Sequence, residues 1–296
     1  MVRLAHFSDI HIGARQLDWK LRDWFSKRLT SWFNDRALGR RRRFANTDEV
    51  TTRLMDELLG RGIDHLVFSG DATALGFAAE FRRAAELLRV GAYPIPCLAV
   101  PGNHDYCTRK SAGSGDFERH FAPWQQGRRI GDHVYPFAQR AGDVWLIGVN
   151  AATGNRMPWD AGGAVGADQL TRLQPLLASL DAGPKILVIH FPVCLANGRR
   201  EASYHGLRDL DALLNIASAG GVHLWLHGHR HSPYHFQQAP GATFPVICAG
   251  TATQNGIWSY GEYTIDGPSL QAVRRAYDPV GRCFRDAETF TLRLTL

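Results

Sequence analysis

Short apolar runs, each closed by glycine or by a polar residue, punctuate the first 230 or so positions of this chain. Residues 4–7 lead to Asp9, 65–68 to Gly70-Asp71, 96–100 to Gly102, 185–189 to His190, and 222–226 to Gly228. Runs of that length bounded by turn formers predict buried strands. Between them the apolar spacing changes to three and four. Asn46-Thr47-Asp48-Glu49 opens a predicted helix with Val50, Leu54, Leu58 and Leu59 on one face, and further helices are predicted over 76–90, 167–180 and 209–219. After residue 240 the pattern returns to strands, over 246–249, 263–265, 270–277 and 290–296. Strands alternating with helices predict an α/β chain, in which ligands gather beyond the carboxyl ends of the strands.

The chemistry sits at those strand ends. In order they carry Asp9-Ile10-His11, Gly70-Asp71, Gly102-Asn103-His104-Asp105, His190 and Gly228-His229-Arg230-His231. Singly, Asp9, Asp71 or Asn103 reads as a helix cap following a strand. Together the motifs supply carboxylate, imidazole and carboxamide groups in the number that two adjacent divalent cations need, with one imidazole, His104, to spare. Two such ions lower the pKa of a shared water and clamp phosphoryl oxygens, and a protonated His104 would assist the leaving oxygen. Mixed nitrogen and oxygen ligands suit manganese, iron or zinc better than calcium, with manganese favoured. Gly70, Gly102 and Gly228 each precede a proposed ligand, so a positive φ is expected at all three.

This set resembles the calcineurin-like metallophosphoesterase superfamily, whose pattern is Asp-x-His, Gly-Asp, Gly-Asn-His-(Asp/Glu), His, Gly-His-x-His. The resemblance spans residues 9 to 231. It implies Asp9, His11 and His231 as ligands of a first metal, Asn103, His190 and His229 as ligands of a second, and Asp71 as the bridge. It also implies His104 as the catalytic imidazole, with Asp105 holding its tautomer. The fold implied is a four-layer sandwich of two mixed β-sheets flanked by helices, a single domain over 1–296, with the dimetal site at the strand C-terminal edge. The activity implied is hydrolysis of a phosphodiester or pyrophosphate bond. Some bacterial members acting on nucleotide-linked lipids similarly combine this core with basic, apolar helical insertions, so a UDP-diacylglucosamine-type lipid A precursor is one expected substrate. The best-known lipid A branch has Asn-Arg-Asp where this chain has Asn103-His104-Asp105, which argues against that branch. The alternative is a class III cyclic nucleotide phosphodiesterase or a broad-specificity phosphodiesterase. A remote alternative is a metal-free binding scaffold resembling a retromer subunit; such scaffolds lose ligands, whereas all seven stand here beside His104.

Charge changes the picture at one place. Between Arg15 and Arg43 lie ten basic residues against three acids, a net of +7, where the whole chain carries +6. Leu17, Leu21, Trp24, Phe25, Leu29, Trp32 and Phe33 follow three-and-four spacing there, so residues 15–44 predict a basic amphipathic helical insertion. Three expectations attach to it. The aromatic face packs on the domain; or Trp24, Phe25, Trp32 and Phe33 contact an acyl chain or an anionic membrane beside the arginines; or, less favoured, the basic residues meet nucleic acid.

Length and composition add bounds. At 296 residues, 45% hydrophobic and 21% charged, the chain suits one soluble enzyme domain without repeats or a bilayer-spanning run. Five scattered cysteines and no signal-peptide pattern predict a reducing cytoplasm without a disulfide partner, peripheral on the inner membrane face if the insertion engages lipid. His205 lies in a polar loop between two ligand motifs and is a candidate substrate contact. His6, His223 and His227 read as core residues or supports of the ligands, and His65, His120, His133 and His235 as surface or packing residues. Aspartate and arginine positions beyond 240 read as solvated strand faces.

Overall fold

The computed structural model describes residues 1–37 and 40–295, excepting the side chains of Arg22, residues 34–37, Arg40 and Arg41. The charge expected at Arg22, Arg36, Arg40 and Arg41 therefore lies outside the described side chains. In chain order the structure runs β1 (Val2–Phe7), α1 (Lys27–Ala37), α2 (Arg40–Arg43), α3 (Thr47–Leu59), β2 (His65–Phe68), α4 (Ala78–Leu87), β3 (Cys97–Ala99), α5 (Arg109–Ser114) and α6 (Asp116–Phe121). There follow β4 (Arg128–Arg129), β5 (Phe137–Ala141), β6 (Val144–Gly148), α7 (Ala167–Ser179), β7 (Lys185–Val188), α8 (Leu210–Ala219) and β8 (Leu224–His227). The chain closes with β9 (Tyr234–Phe236), β10 (Val246–Cys248), β11 (Ser259–Asp266), β12 (Ser269–Asp278) and β13 (Cys283–Arg293).

The strands form two mixed sheets, in the orders β13-β12-β11-β1-β2-β3 and β4-β5-β6-β7-β8-β10-β9. β1, β2 and β3 are mutually parallel, as are β6, β7, β8 and β10. Three apolar layers hold the sandwich. Phe7, Leu66 and Phe68 face α3, α4 and α6 through Leu54, Phe81 and Phe121. Leu4, Val67, Leu146, Val188 and Leu226 pack between the sheets. Leu187 and Trp225 meet Leu173, Leu177 and Leu213 of α7 and α8. Successive residues of β1, β2, β7 and β8 thus point into different apolar layers, which is why those strands read as unbroken apolar runs.

The insertion differs from the single amphipathic helix its spacing predicts. A 3-10 turn over Leu21–Phe25 is separated from α1 by Ser26, whose backbone is extended (φ −127°, ψ 171°). Asp23 explains the break: its carboxylate accepts the Lys20 N–H at 2.9 Å and pairs with Arg28 at 2.9 Å, closing the turn on itself. Two of its basic residues are buried. Lys27 donates to the Asp160 carbonyl at 2.7 Å, and Arg28 stacks on Phe77 with its guanidinium carbon 3.9 Å from the ring centroid. Trp19 packs against Trp24, Trp32 and Phe77. Phe25 stays 86% exposed and Phe33 55%. At the other end of the chain, Arg275 is not solvated as expected but buried, its guanidinium paired with Glu57 at 2.8 Å.

Candidate active site

The parallel strands of both sheets end on one edge, and the loops beyond them are zipped together. The Asp9 N–H bonds the Gly70 carbonyl at 2.9 Å, His11 bonds that of Asp71 at 3.0 Å, and Gly228 bonds that of His190 at 3.1 Å. All seven predicted ligands meet there. One ligand atom each from Asp9, His11 and His231 falls within a common 4.8 Å, and so does one each from Asp9, Asp71 and His190. Asn103 Oδ1 lies 3.1 Å from His190 Nε2 and 2.8 Å from His229 Nδ1.

The turning is done by the candidate ligand residues themselves. Asp9, His11, Asp71, His229 and His231 all have φ between 47° and 71°, a region that costs a non-glycine residue energy and persists where surroundings over-determine it. Of the three glycines expected there, only Gly70 is left-handed, at φ 103°. Gly102 and Gly228 serve close approach instead. A Cβ on Gly102 would enter the Asp71 carboxylate, and one on Gly228 would strike the Ser8 hydroxyl and the Asp9 carboxylate.

Hydrogen bonds at the far side of each ring aim the ligand atoms. His190 Nδ1–H donates to the Ser69 carbonyl at 2.8 Å, so Nε2 is the ring atom turned toward Asn103 Oδ1 and Asp71 Oδ2, the latter 3.4 Å away. His231 Nδ1 lies 2.6 Å from Gln254 Oε1, directing Nε2 at Asp9 Oδ1, 3.2 Å away, and at His11 Nε2, 3.1 Å away. The His104 N–H holds Asp71 Oδ1 at 2.7 Å, leaving Oδ2 between His190 Nε2 and His11 Nε2, the latter at 3.7 Å. Asp9 Oδ1 and His229 Nε2 are buried with no hydrogen-bond partner among the described residues. Convergent lone pairs and unsatisfied buried atoms are what a cation site requires. The donor set fits divalent cations, which these seven side chains would hold.

Electrostatics agree. Burial works to raise the pKa of both carboxylates, yet the surrounding imidazoles bring Asp9 and Asp71 well below the usual range. Burial works to lower that of His190, but Asp71 outweighs it and lifts the ring to about 9.

His104 is half-buried beside this cluster, its ring centroid 4.7 Å from that of His11. The expectation that Asp105 holds its tautomer is corrected. His104 Nδ1–H donates to the Ala74 carbonyl at 2.7 Å, whereas Asp105 accepts the backbone N–H groups of Gly102, Ala72 and Thr73 and the Thr73 hydroxyl. Asp105 ties the second motif loop to the third, and its pKa is pushed up to about 7 by burial and by neighbouring Asp71. The supporting carbonyls of Ser69 and Ala74 carry no sequence signal, since every residue has one. Gln254 could have been found. It belongs to the polar run Thr251-Ala252-Thr253-Gln254, which follows β10, and Thr251 and Thr253 also donate to the carbonyls of Asp9 and Ile10 at 2.7 and 2.8 Å.

A cavity of about 590 Å³ opens over the cluster, walled by Arg43, Phe44, His205, Arg230 and Gln254. His205 stands on that wall with its ring 6.5 Å from that of His229. A second cavity of about 660 Å³ shares Phe44 and reaches His11; Leu17, Trp32 and Leu75 line it, with Arg15 and Arg83. Trp32 thus faces this cavity, while Trp24 is partly covered by Trp19. The Phe44 ring packs edge-on against His11, with centroids 4.9 Å apart.

A four-layer sandwich with this ligand set at one edge defines a dimetal centre of the phosphoesterase kind. The model of the calcineurin-like phosphoesterase family matches residues 2–233, and the chain belongs to that family. Among solved structures it is similar to a dimetal phosphatase from Danio rerio, at 15% identity and a TM-score of 0.68 over 99% of both chains. It is also similar to a purple acid phosphatase from yellow lupin (Lupinus luteus) seeds, at 13% identity and 0.59 over 99% of this chain and 53% of that one. A structure of PhoD aligns at 11% identity and 0.59 over 99% and 70%. At these identities the likeness is one of fold. No curated protein matches the chain in sequence. No helix among the described residues is long and apolar enough to cross a membrane.

Proposed function

We propose that this metal-dependent phosphoesterase cleaves a phosphodiester or pyrophosphate bond in an amphiphilic substrate. The observation that carries the reading is the pair of cavities sharing Phe44. One stands over the ligand cluster with Arg43 and Arg230 on its wall, and the other is partly apolar, through Leu17, Trp32 and Leu75. Such an arrangement suits a phosphorus centre with a charged substituent on one side and an apolar one on the other. When bound, two divalent ions supply water activation and a clamp on the phosphoryl oxygens, and manganese, iron or zinc suits the donors. Asp9, His11 and His231 would hold one ion and Asn103, His190 and His229 the other, with Asp71 between them. His104, with Nδ1 engaged by Ala74, turns Nε2 toward the cluster and delivers a proton to the leaving oxygen. His205 and Arg230 contact the substrate from the wall.

A nucleotide-linked lipid of the UDP-diacylglucosamine type is one substrate of this class. A cyclic nucleotide is the second reading, favoured by the histidine at position 104. The exposed side chains of Leu21, Trp24, Phe25 and Phe33 near the basic stretch support a peripheral seat on an anionic membrane. The test is metal content of purified protein together with turnover on an amphiphilic pyrophosphate, a bis-aryl phosphodiester, a phosphomonoester and a cyclic nucleotide. Preference for the amphiphile is expected. Equal or better turnover of the cyclic nucleotide would replace this reading with the second, and a metal-free, inert protein would end both.

A further inference from the structure

The buried Arg28 lies in the insertion, outside every motif of the family pattern, yet it reaches the loop that aims His104. Its Nε donates to the Leu75 carbonyl at 3.2 Å, and Nη2 donates to the Gly76 carbonyl. Its Nη1 is held by Asp23, and its plane rests on Phe77. The other side of the same loop is equally constrained. Glu80 Oε2 accepts the Leu75 N–H at 3.0 Å and the Phe77 N–H at 3.1 Å. A Cβ on Gly76 would come within 2.7 Å of the Asp105 carbonyl, so the loop is pressed against the third motif. Ala74, next in the chain to these clamped residues and itself donating its N–H to the Ile12 carbonyl at 3.1 Å, gives the carbonyl that fixes the His104 ring.

We infer that Arg28 is a positioning residue for His104: its guanidinium fork, pinned by Asp23, sets the 74–77 loop so that the Ala74 carbonyl holds the imidazole toward the leaving oxygen. The insertion is then part of the catalytic scaffold as well as a surface appendage. A planar fork is needed, because two successive carbonyls and a carboxylate must be engaged at once over an aromatic face; an ammonium supplies the charge without that geometry. The consequence is selective. A loosened loop misplaces the acid while leaving the metal ligands on their own backbone hydrogen bonds, so only substrates whose leaving group needs a proton should suffer.

This inference rests on the proposed role of His104, and the test separates the two. The full-length protein and its Arg28→Met, His104→Ala and doubly substituted forms are loaded with manganese. Each is assayed on a diester with a 4-nitrophenolate leaving group and on one with an alkoxide leaving group. Metal content and melting temperature are measured in parallel. Arg28→Met should lose about ten- to hundredfold in kcat on the alkyl ester, the scale of a misplaced catalytic group, and little on the aryl ester. Combined with His104→Ala it should add nothing further. Equal losses on both esters, or losses that multiply with those of His104→Ala, would overturn the inference and leave a merely structural arginine. If His104→Ala itself fails to distinguish the esters, the assignment of the acid fails, and the inference with it. Should Arg28→Met not fold, Arg28→Lys keeps the cation without the fork and is read by the same criteria.

Discussion

Replacing Asp71 by asparagine should remove both metals and the stability that their binding lends. Oδ1 is occupied by the His104 N–H, so the charge available to cations is concentrated on Oδ2, 3.4 Å from His190 and 3.7 Å from His11. That atom faces one imidazole expected on each metal, His11 and His190, whereas of the candidate ligands His231 faces Asp9 and His11. An ion bound at a hundred times its dissociation constant stabilises the native state by about 2.7 kcal/mol, and two give about 5 kcal/mol. For a chain of this size each kcal/mol moves the melting temperature by about 2 °C, so chelation should lower it by about 10 °C. In Asp71→Asn the chelated and metal-replete melts should coincide, with close to no bound metal. In His231→Ala about one ion and about half the shift should remain. The assay is elemental analysis of dialysed protein alongside thermal unfolding with and without chelator. An Asp71→Asn protein that keeps two ions and the full shift would refute the shared-oxygen argument.

Two further outcomes follow from residues away from the metals. Phe25→Ser/Phe33→Ser should fold as the parent does, since both rings are largely exposed, but bind anionic vesicles more weakly in a flotation assay. Binding by the parent should fade with salt, each basic residue at the surface contributing about 1 kcal/mol; a parent that ignores such vesicles at low salt removes the membrane seat. His65 is buried, and burial lowers its pKa from 6.5 to about 4 despite a 2.8 Å bond to Gln139. The unfolded chain therefore takes up the proton first: the neutral ring's contribution is whole above pH 6.5 and is lost between 6.5 and 4, at up to ~1.4 kcal/mol per pH unit. His65→Gln should be less stable at pH 7 yet lose less between pH 7 and 5 in urea unfolding; parallel losses would contradict it.

The strands that carry ligands were legible because each is buried on both faces and ends in a turn former. The β4–β5–β6 segment was not. β4 has only two residues, and β5 interleaves Gln139 and Arg140 with its apolar positions, although the run Val144–Gly148 before Val149 and Asn150 carried a usable signal. β13 was expected from residue 290 but begins at Cys283, because residues 285–289 are exposed or nearly so, and their membership is fixed by pairing with β12. The seven candidate ligands were readable from their side chains. What aims them was not, since the bonds from His190 and His104 end on backbone carbonyls whose placement depends on the folded loops. The positive φ values fell on Asp9, His11 and Asp71 for a related reason: dense hydrogen bonding in the folded site holds conformations that local preference alone assigns to glycine.

The insertion shows the same limit from the other direction. Its charge suggested a separable basic helix, and removing residues 17–43 would seem a clean way to ask what it does. Three contacts argue otherwise. Arg28 fills hydrogen bonds at Leu75 and Gly76, Lys27 bonds Asp160, and Trp19 covers Phe77. Deletion would hand those carbonyls to water and uncover Phe77, in a loop one residue away from the group that orients His104. Loss of activity in such a protein would not distinguish a missing membrane anchor from a displaced acid. Paired point substitutions do distinguish them: Phe25 and Phe33 are exposed, and Arg28 is buried. Vesicle binding should therefore follow the phenylalanines, and leaving-group dependence should follow the arginine.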